Sequence, residues 1–385
     1  MATFHRRRFI KAGALGAIGS AWWAGAADAG QSPPPAPQPH FVGDGLQLSV
    51  HDYTQLLDKL AAAGKLDRDV YLSGGVVKQL ETKFAQLLGK EEALFIPTGT
   101  LANHLAIRNL AQGNSRVIVQ AESHIYCDSL DCVQTLSHLN LIPLAPGKAT
   151  IPLAEIEATC QKSVNGPFPT PVGAISIECP VRRQNGAVFD FDEMKRVAAY
   201  AKKNNIKMHL DGARLYLASA YTGVSPAEYA TLFDTVYISL YKYFNAGTGA
   251  ILAGSKAVIE RVAHDRKIFG SGLYQAWPYA AVALHYLEGF PERFAQAVET
   301  ANKLFALLEK QGQFKVEHQP QGTNIYRLRV NGIDPAQYQK ALAQRGIRVG
   351  RVSPTFPGIQ LLINESLNYS NAEELAKVFV EALGK

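Results

Sequence analysis

The sequence predicts an α/β protein: a large domain on a mostly parallel central sheet flanked by helices, followed by a small C-terminal α+β domain. Two observations carry this expectation. Between residues 76 and 253, short apolar strand-like runs alternate with segments of helical spacing, as a parallel sheet with helices on both faces requires. Near Phe290 the alternation gives way to one long helical stretch and then to a mixture of short strands and helices. A chain of 385 residues is also long enough for two domains.

The N-terminus is set apart from the fold. Arg6-Arg7-Arg8-Phe9-Ile10-Lys11 has the form of a twin-arginine export signal, and an apolar stretch covers residues 12–26. Ala27-Asp28-Ala29 offers a small-x-small cleavage site, with Ala24-Gly25-Ala26 as a second option. The apolar run is short for a transmembrane span, which needs about 20 residues. We therefore expect residues 1–29 to be a signal peptide that addresses the export machinery, and the mature protein to be periplasmic. Residues 30–40, with the run Pro33-Pro34-Pro35, read as a stiff linker.

The large domain is expected over residues 41–290. Val76, Leu80, Phe84, Leu87 and Leu88 recur at helical spacing, and Gly89 is a natural stop. Apolar strands are expected at 93–96, 116–119, 139–144, 172–177, 207–210, 235–239 and 249–253, with helices at 101–110 and 191–203. The small domain, 291–385, is expected to hold helices at 294–311, 335–345 and 372–383, and strands near 314–317, 324–329, 347 and 359.

The formal charge is +6, and removal of residues 1–29, with four basic residues and one acidic, leaves +3. That mild excess gives no case for nucleic acid binding. Cys127, Cys132, Cys160 and Cys179 lack metal-type spacing, and no metal is expected. Export permits a disulfide, but buried free thiols are the simpler reading.

Four candidates fall at strand ends, where ligands of parallel sheets bind. Pro97-Thr98-Gly99-Thr100 lies between a strand and a helix, so backbone amides and the Thr98 and Thr100 hydroxyls could hold a phosphate. A strand–TGT–helix is also an ordinary N-cap. His124 follows the next strand and could cover the face of a flat ring; alone, it could equally be a histidine of the surface or the core edge. Asp211, in His209-Leu210-Asp211-Gly212-Ala213-Arg214, ends a strand, where it could pair with a ring nitrogen or cap a helix. Lys242 stands in the apolar, aromatic segment Leu240-Tyr241-Lys242-Tyr243-Phe244; desolvation there favours a neutral amine unless the chain snorkels to water. An amine, a carboxylate, a phosphate cup and a ring cover are the four parts that pyridoxal 5'-phosphate (PLP) asks of a protein.

These segments, in order, resemble the threonine aldolase and β-eliminating lyase group of fold-type I PLP enzymes. The resemblance runs from about Val70 to Leu287, and more weakly through Thr323-Asn324-Ile325. Besides the motifs above it takes in Leu80-Glu81, Leu88-Gly89-Lys90-Glu91-Glu92, Leu101-Ala102-Asn103, Ile177-Glu178, Arg266-Lys267 and Gly270-Ser271-Gly272-Leu273-Tyr274-Gln275. It implies that Lys242 carries the Schiff base and that Asp211 pairs with the pyridinium. It further implies that His124 stacks on the ring, that Thr98, Gly99 and Thr100 cradle the phosphate, and that Arg214 lies near cofactor and substrate carboxylate. An amino-acid substrate and a homodimer or homotetramer also follow from it.

The departures from the family concentrate at the substrate. No Ser-Asp-Thr segment is found between Phe41 and Tyr71, and an Asp-Pro-Thr run becomes Leu72-Ser73-Gly74-Gly75. Glu-Asn-Thr becomes Glu178-Cys179-Pro180, and a serine before the lysine becomes Tyr241. An arginine that reaches a neighbour's phosphate becomes Tyr274, and the C-terminal arginine that grips the substrate carboxylate becomes Gln360. Either Arg214 alone holds the carboxylate, another arginine such as Arg183 or Arg351 substitutes, or the substrate differs. The leading expectation is aldol cleavage of a β-hydroxy amino acid to glycine and an aldehyde, with His124 as a base. β-Elimination, racemisation or a non-catalytic exported binding protein are the alternatives.

Overall fold

The computed structural model describes residues 37–353 and 356–384. The expected signal peptide and residues 30–36 of the expected linker lie outside the described residues.

His40–Phe41 forms a first short strand, β1. Seven strands then build the central sheet: β2 (Glu92–Ile96), β3 (Arg116–Gln120), β4 (Asn140–Leu144), β5 (Val172–Glu178), β6 (Lys207–Asp211), β7 (Thr235–Ser239) and β8 (Ala250–Gly254). Their order is β2-β8-β7-β6-β5-β3-β4. The run from β7 to β4 is parallel. β8 runs antiparallel to both neighbours, β7 and β2. The reason is chain length: only residues 240–249 join β7 to β8, fewer than the dozen or so that a parallel crossover needs. Because β8 is reversed against both, β2 regains the direction of β7. The carboxyl ends of β2, β3, β5, β6 and β7 therefore lie along one edge of the sheet, and every chemical candidate ends or follows one of them.

The helices cover both faces of the sheet. Helix Gly75–Leu88 buries Val76, Leu80, Phe84 and Leu88, and Gly89 ends it in the left-handed conformation (φ 60°) that glycine adopts without cost. Leu87, expected on the core stripe, is 36% exposed; it lies one position off the buried face. The lysine loop between β7 and β8 rests on aromatic rings. Tyr243 and Phe244 are fully buried, with ring centroids 5.1 and 5.2 Å from Phe290. Burial of two such side chains stabilises the loop by about 1.5–3 kcal/mol each.

Helix Phe290–Glu309 leads into a four-stranded antiparallel sheet: β9 (Phe314–His318), β10 (Ile325–Val330), β12 (Val352–Ser353) and β13 (Phe356–Leu362), in the order β12-β13-β10-β9. That helix begins four residues before its expected start, since Pro291 is tolerated in a first turn. β11 (Arg348–Val349) pairs in parallel with β1. Phe41 packs edge-on against Phe379 of the last helix, ring centroids 5.6 Å apart. These contacts fix the start of the described chain, so that residues 43–46 thread under the lysine loop. Gly45 is needed there: a Cβ would meet the Lys242 carbonyl oxygen at 2.2 Å. Leu46 donates its amide to Asn245 Oδ1 at 2.7 Å.

Of the four cysteines, all free, only Cys179 is buried; Cys127 is exposed, and Cys132 and Cys160 are intermediate. The expectation of buried thiols therefore holds for one of them. No helix among the described residues is long and apolar enough to cross a membrane. Nor do the described residues hold three or more His, Cys, Asp or Glu placed to bind a metal.

Candidate active site

Two adjoining spaces open at the carboxyl edge of the sheet. A narrow slot of about 20 Å³ is lined by Gly99, Thr100, Asn103, Glu178, Asp211 and Ala213, among others. A wider cavity of about 490 Å³ is bounded by Asp44, Tyr53, Arg182 and Asn245 among others. His124, Arg214, Tyr241 and Lys242 line both.

Lys242 is held by the loop after β7. Burial, then the neighbouring Arg214 charge, pull its pKa down to about 8, against the pull of Asp211, Asp44 and Glu178. A substantial neutral fraction is thus available near pH 8, which a nucleophilic amine requires. Its Nζ lies 4.7 Å from the centre of the Tyr241 ring.

Asp211 closes β6 and is buried. Asn103 Nδ2 donates to its Oδ2 at 2.5 Å, and the Ala213 amide to its Oδ1 at 3.1 Å. Each oxygen keeps a lone pair for a partner in the slot. Glu178 ends β5 and pairs in register with Asp211. Its carboxylate accepts the His124 amide at 2.6 Å and the Arg182 amide at 3.0 Å. Burial first, and then the Asp211 charge, push its pKa up to about 7. Glu178 therefore fixes the backbone that carries His124. Ser129 Oγ lies 3.2 Å from His124 Nδ1.

Arg214 donates Nε to Asp44 Oδ2 at 2.8 Å, and Asn324 Nδ2 donates to Asp44 Oδ1 at 3.3 Å. Burial alone would raise the pKa of Asp44, but Arg214 and Lys242 outweigh it and hold the carboxyl below its usual range.

The residues fit PLP. Gly99 begins helix Gly99–Leu110, whose first amides have no carbonyl of that helix to reach. A Cβ on Gly99 would meet Tyr237 Oη at 2.0 Å, so only glycine leaves that approach open. An amine, a buried carboxylate and a helix start thus converge on one slot.

Of the expected site residues, Lys242, Asp211, His124, Gly99, Thr100 and Arg214 line the slot together. Thr98 does not: it is exposed, and its hydroxyl accepts the Leu101 amide at 3.3 Å as the N-cap. Its hydroxyl is therefore engaged at the start of the helix, outside the set of residues that line the slot. Arg183 is taken by a surface pair with Asp128, at 2.9 and 2.6 Å, and lines neither space. Arg351 is exposed, and Gln360 lies on β13 opposite Arg327, so neither lines the cavity. Tyr274 packs edge-on against Tyr71, ring centroids 5.3 Å apart, on the outside.

No Ser-Asp-Thr segment precedes Tyr71, yet Gly43-Asp44-Gly45 lines the cavity and brings an acid into it. The signal was an acid between two glycines near the start of the domain. Asn103 and Glu178 stood in matched motifs but carried no assigned role. Tyr53 and Arg182 had no legible signal.

The β-eliminating lyase family model matches residues 51–330. The low-specificity L-threonine aldolase of Candida albicans is 25% identical over 320 residues, 82% of each chain. The alanine racemase TOXG of Cochliobolus carbonum is 28% identical over 246 residues, 64% of this chain and 62% of its own. A solved structure from Listeria monocytogenes, assigned as an L-allo-threonine aldolase, superposes with a TM-score of 0.74 at 26% identity, covering 89% of this chain and 95% of that one. Fold, slot and match agree: the chain belongs to the β-eliminating lyase family and is a PLP-dependent lyase of fold type I.

Proposed function

We propose that the protein cleaves the Cα–Cβ bond of a β-hydroxy amino acid, with threonine and allo-threonine as the first substrates to test. The relatives named for these substrates support the choice. One observation carries it: a desolvated Lys242 amine opens into a cavity that also presents His124 and Arg214. Arg214 grips the substrate carboxylate by exchanging part of its bond to Asp44. His124, directly or through water, takes the β-hydroxyl proton as the Cα–Cβ bond breaks, so an aldehyde leaves. Bound PLP supplies the electron sink for that bond pair. Lys242 returns a proton to Cα, and glycine is the second product. Incubation with L-threonine and with L-allo-threonine should yield glycine and acetaldehyde in equal amounts. A 2-oxo acid with ammonia, or the inverted amino acid, would contradict this reading.

Racemisation is the second reading, supported by the relative named alanine racemase. In it Lys242 itself removes the Cα proton, and alanine of inverted configuration appears.

Export through the twin-arginine route is part of the proposal, supported by Arg6-Arg7-Arg8-Phe9-Ile10-Lys11. Replacement of Arg6, Arg7 and Arg8 by lysine should trap the protein in the cytoplasm; unchanged periplasmic recovery would refute it. Self-association is proposed as well, supported by the exposed neighbours Val70, Tyr71 and Tyr274. Light scattering should give at least twice the chain mass, and a monomer would refute it.

A further inference from the structure

Behind Asp211 runs a file of buried polar groups. Thr235 Oγ1 and His209 Nδ1 are 2.8 Å apart, His209 Nε2 and Asn103 Oδ1 are 2.9 Å apart, and Asn103 Nδ2 reaches Asp211 Oδ2 at 2.5 Å. All four side chains are buried. They come from β6, β7 and helix Gly99–Leu110, which pack together beneath the slot.

The direction of every bond follows from the carboxylate end. An ionised Asp211 only accepts, so Asn103 must turn its amide nitrogen toward it. Asn103 Oδ1 is then an acceptor and needs a donor, which fixes the proton of His209 on Nε2. His209 Nδ1 is left as an acceptor, so the Thr235 hydroxyl donates to it. Burial holds the pKa of His209 down to about 4, so the ring is neutral and carries one proton. The file has one polarity, and all of it points donors at Asp211.

We propose that Thr235, His209 and Asn103 form a positioning relay that holds the Asp211 carboxylate aimed at the ring nitrogen of PLP. This deepens the PLP reading and rests on it. A buried chain polarised in one direction strengthens its last bond. A purely structural filling of this space would be apolar; three buried polar side chains with one shared outlet are costly otherwise. None of the three needs to touch substrate. They act through Asp211.

The test uses the full-length protein loaded with PLP carrying ¹⁵N in its ring. Two readouts are taken: the PLP dissociation constant and the ¹⁵N shift of the bound ring nitrogen. In Asn103→Leu the affinity should fall about 10- to 100-fold, the loss of one charge-assisted bond. The ring nitrogen should also move toward its unprotonated position. His209→Leu should shift both in the same sense, about 2- to 10-fold in affinity, as expected for a neutral bond. Thr235→Val, a change of similar shape, should have a smaller effect than His209→Leu. His209→Gln keeps a donor near Nε2 and should restore the wild-type values. If Asn103→Leu does not fold, the comparison of His209→Leu, His209→Gln and Thr235→Val decides alone. An unmoved ring-nitrogen signal in the folded leucine variants, whatever their affinity, would overturn the relay. A wild-type protein that binds no PLP would instead sink the cofactor reading on which it stands.

Discussion

Asp44 and Arg214, 170 positions apart in sequence, meet at 2.8 Å inside the cavity, each nearly out of water. This pair ties the start of the described chain to the sheet edge that carries Asp211. Removal of one partner leaves a buried charge unpaired, which typically costs about 3–5 kcal/mol. Asp44→Ala should therefore lower the unfolding free energy by about that much in urea titration. It should also raise KM for the amino acid, because Arg214 loses its orientation. A variant as stable as wild type would show that Arg214 finds another partner.

The lowered pKa of Lys242 sets the pH dependence of cofactor capture. The neutral amine attacks, and its fraction rises with pH through about 8 rather than through the ordinary lysine range. Stopped-flow mixing of apoprotein with PLP should show a capture rate that is half-maximal near pH 8 and levels about one unit above it. A rate still climbing about two units higher would mean that the amine is solvated and unperturbed.

Gly99 tests the slot directly. A Cβ there meets the rigid Tyr237 ring, with Oη at 2.0 Å and Cζ at 2.6 Å. Gly99→Ala should weaken PLP binding about tenfold or more, since overpacking costs about 1–3 kcal/mol. Equilibrium titration of the apoprotein with PLP measures it, and unchanged affinity would place the phosphate elsewhere.

Glu178 is the acceptor for two amides, those of His124 and Arg182. Glutamine offers one carbonyl oxygen and turns an N–H toward the other amide. Glu178→Gln should thus cost about 1–3 kcal/mol in stability and lower kcat by disturbing His124. Thermal unfolding and steady-state rates would show whether both fall together, as expected.

Much of this fold was legible because its strands are buried on both faces and read as unbroken apolar runs. Residues 235–239 and 93–96 needed no partner to be recognised. Helix Trp277–Leu287 was not foreseen, since it is apolar on most sides and carries little periodicity. Helix Val50–Ala62 was missed despite a cue, the Ser49 and Asp52 capping box. At the site, the residues in local motifs were readable: Lys242, Asp211, His124 and Gly99. Asp44 showed only as an acid between two glycines; its meaning lies in a contact with Arg214 that no local spacing records. Thr98 shows the same limit of local motifs. In the motif it looks like a phosphate ligand, but the helix that follows takes its hydroxyl as a cap.

The central claim is that Lys242 holds the cofactor. Borohydride reduction of the purified, PLP-loaded protein, followed by peptide mass mapping, tests it most directly. The account predicts a pyridoxyl-phosphate adduct on the peptide containing Lys242 and on no other. An adduct on a different lysine, or none at all, would contradict it.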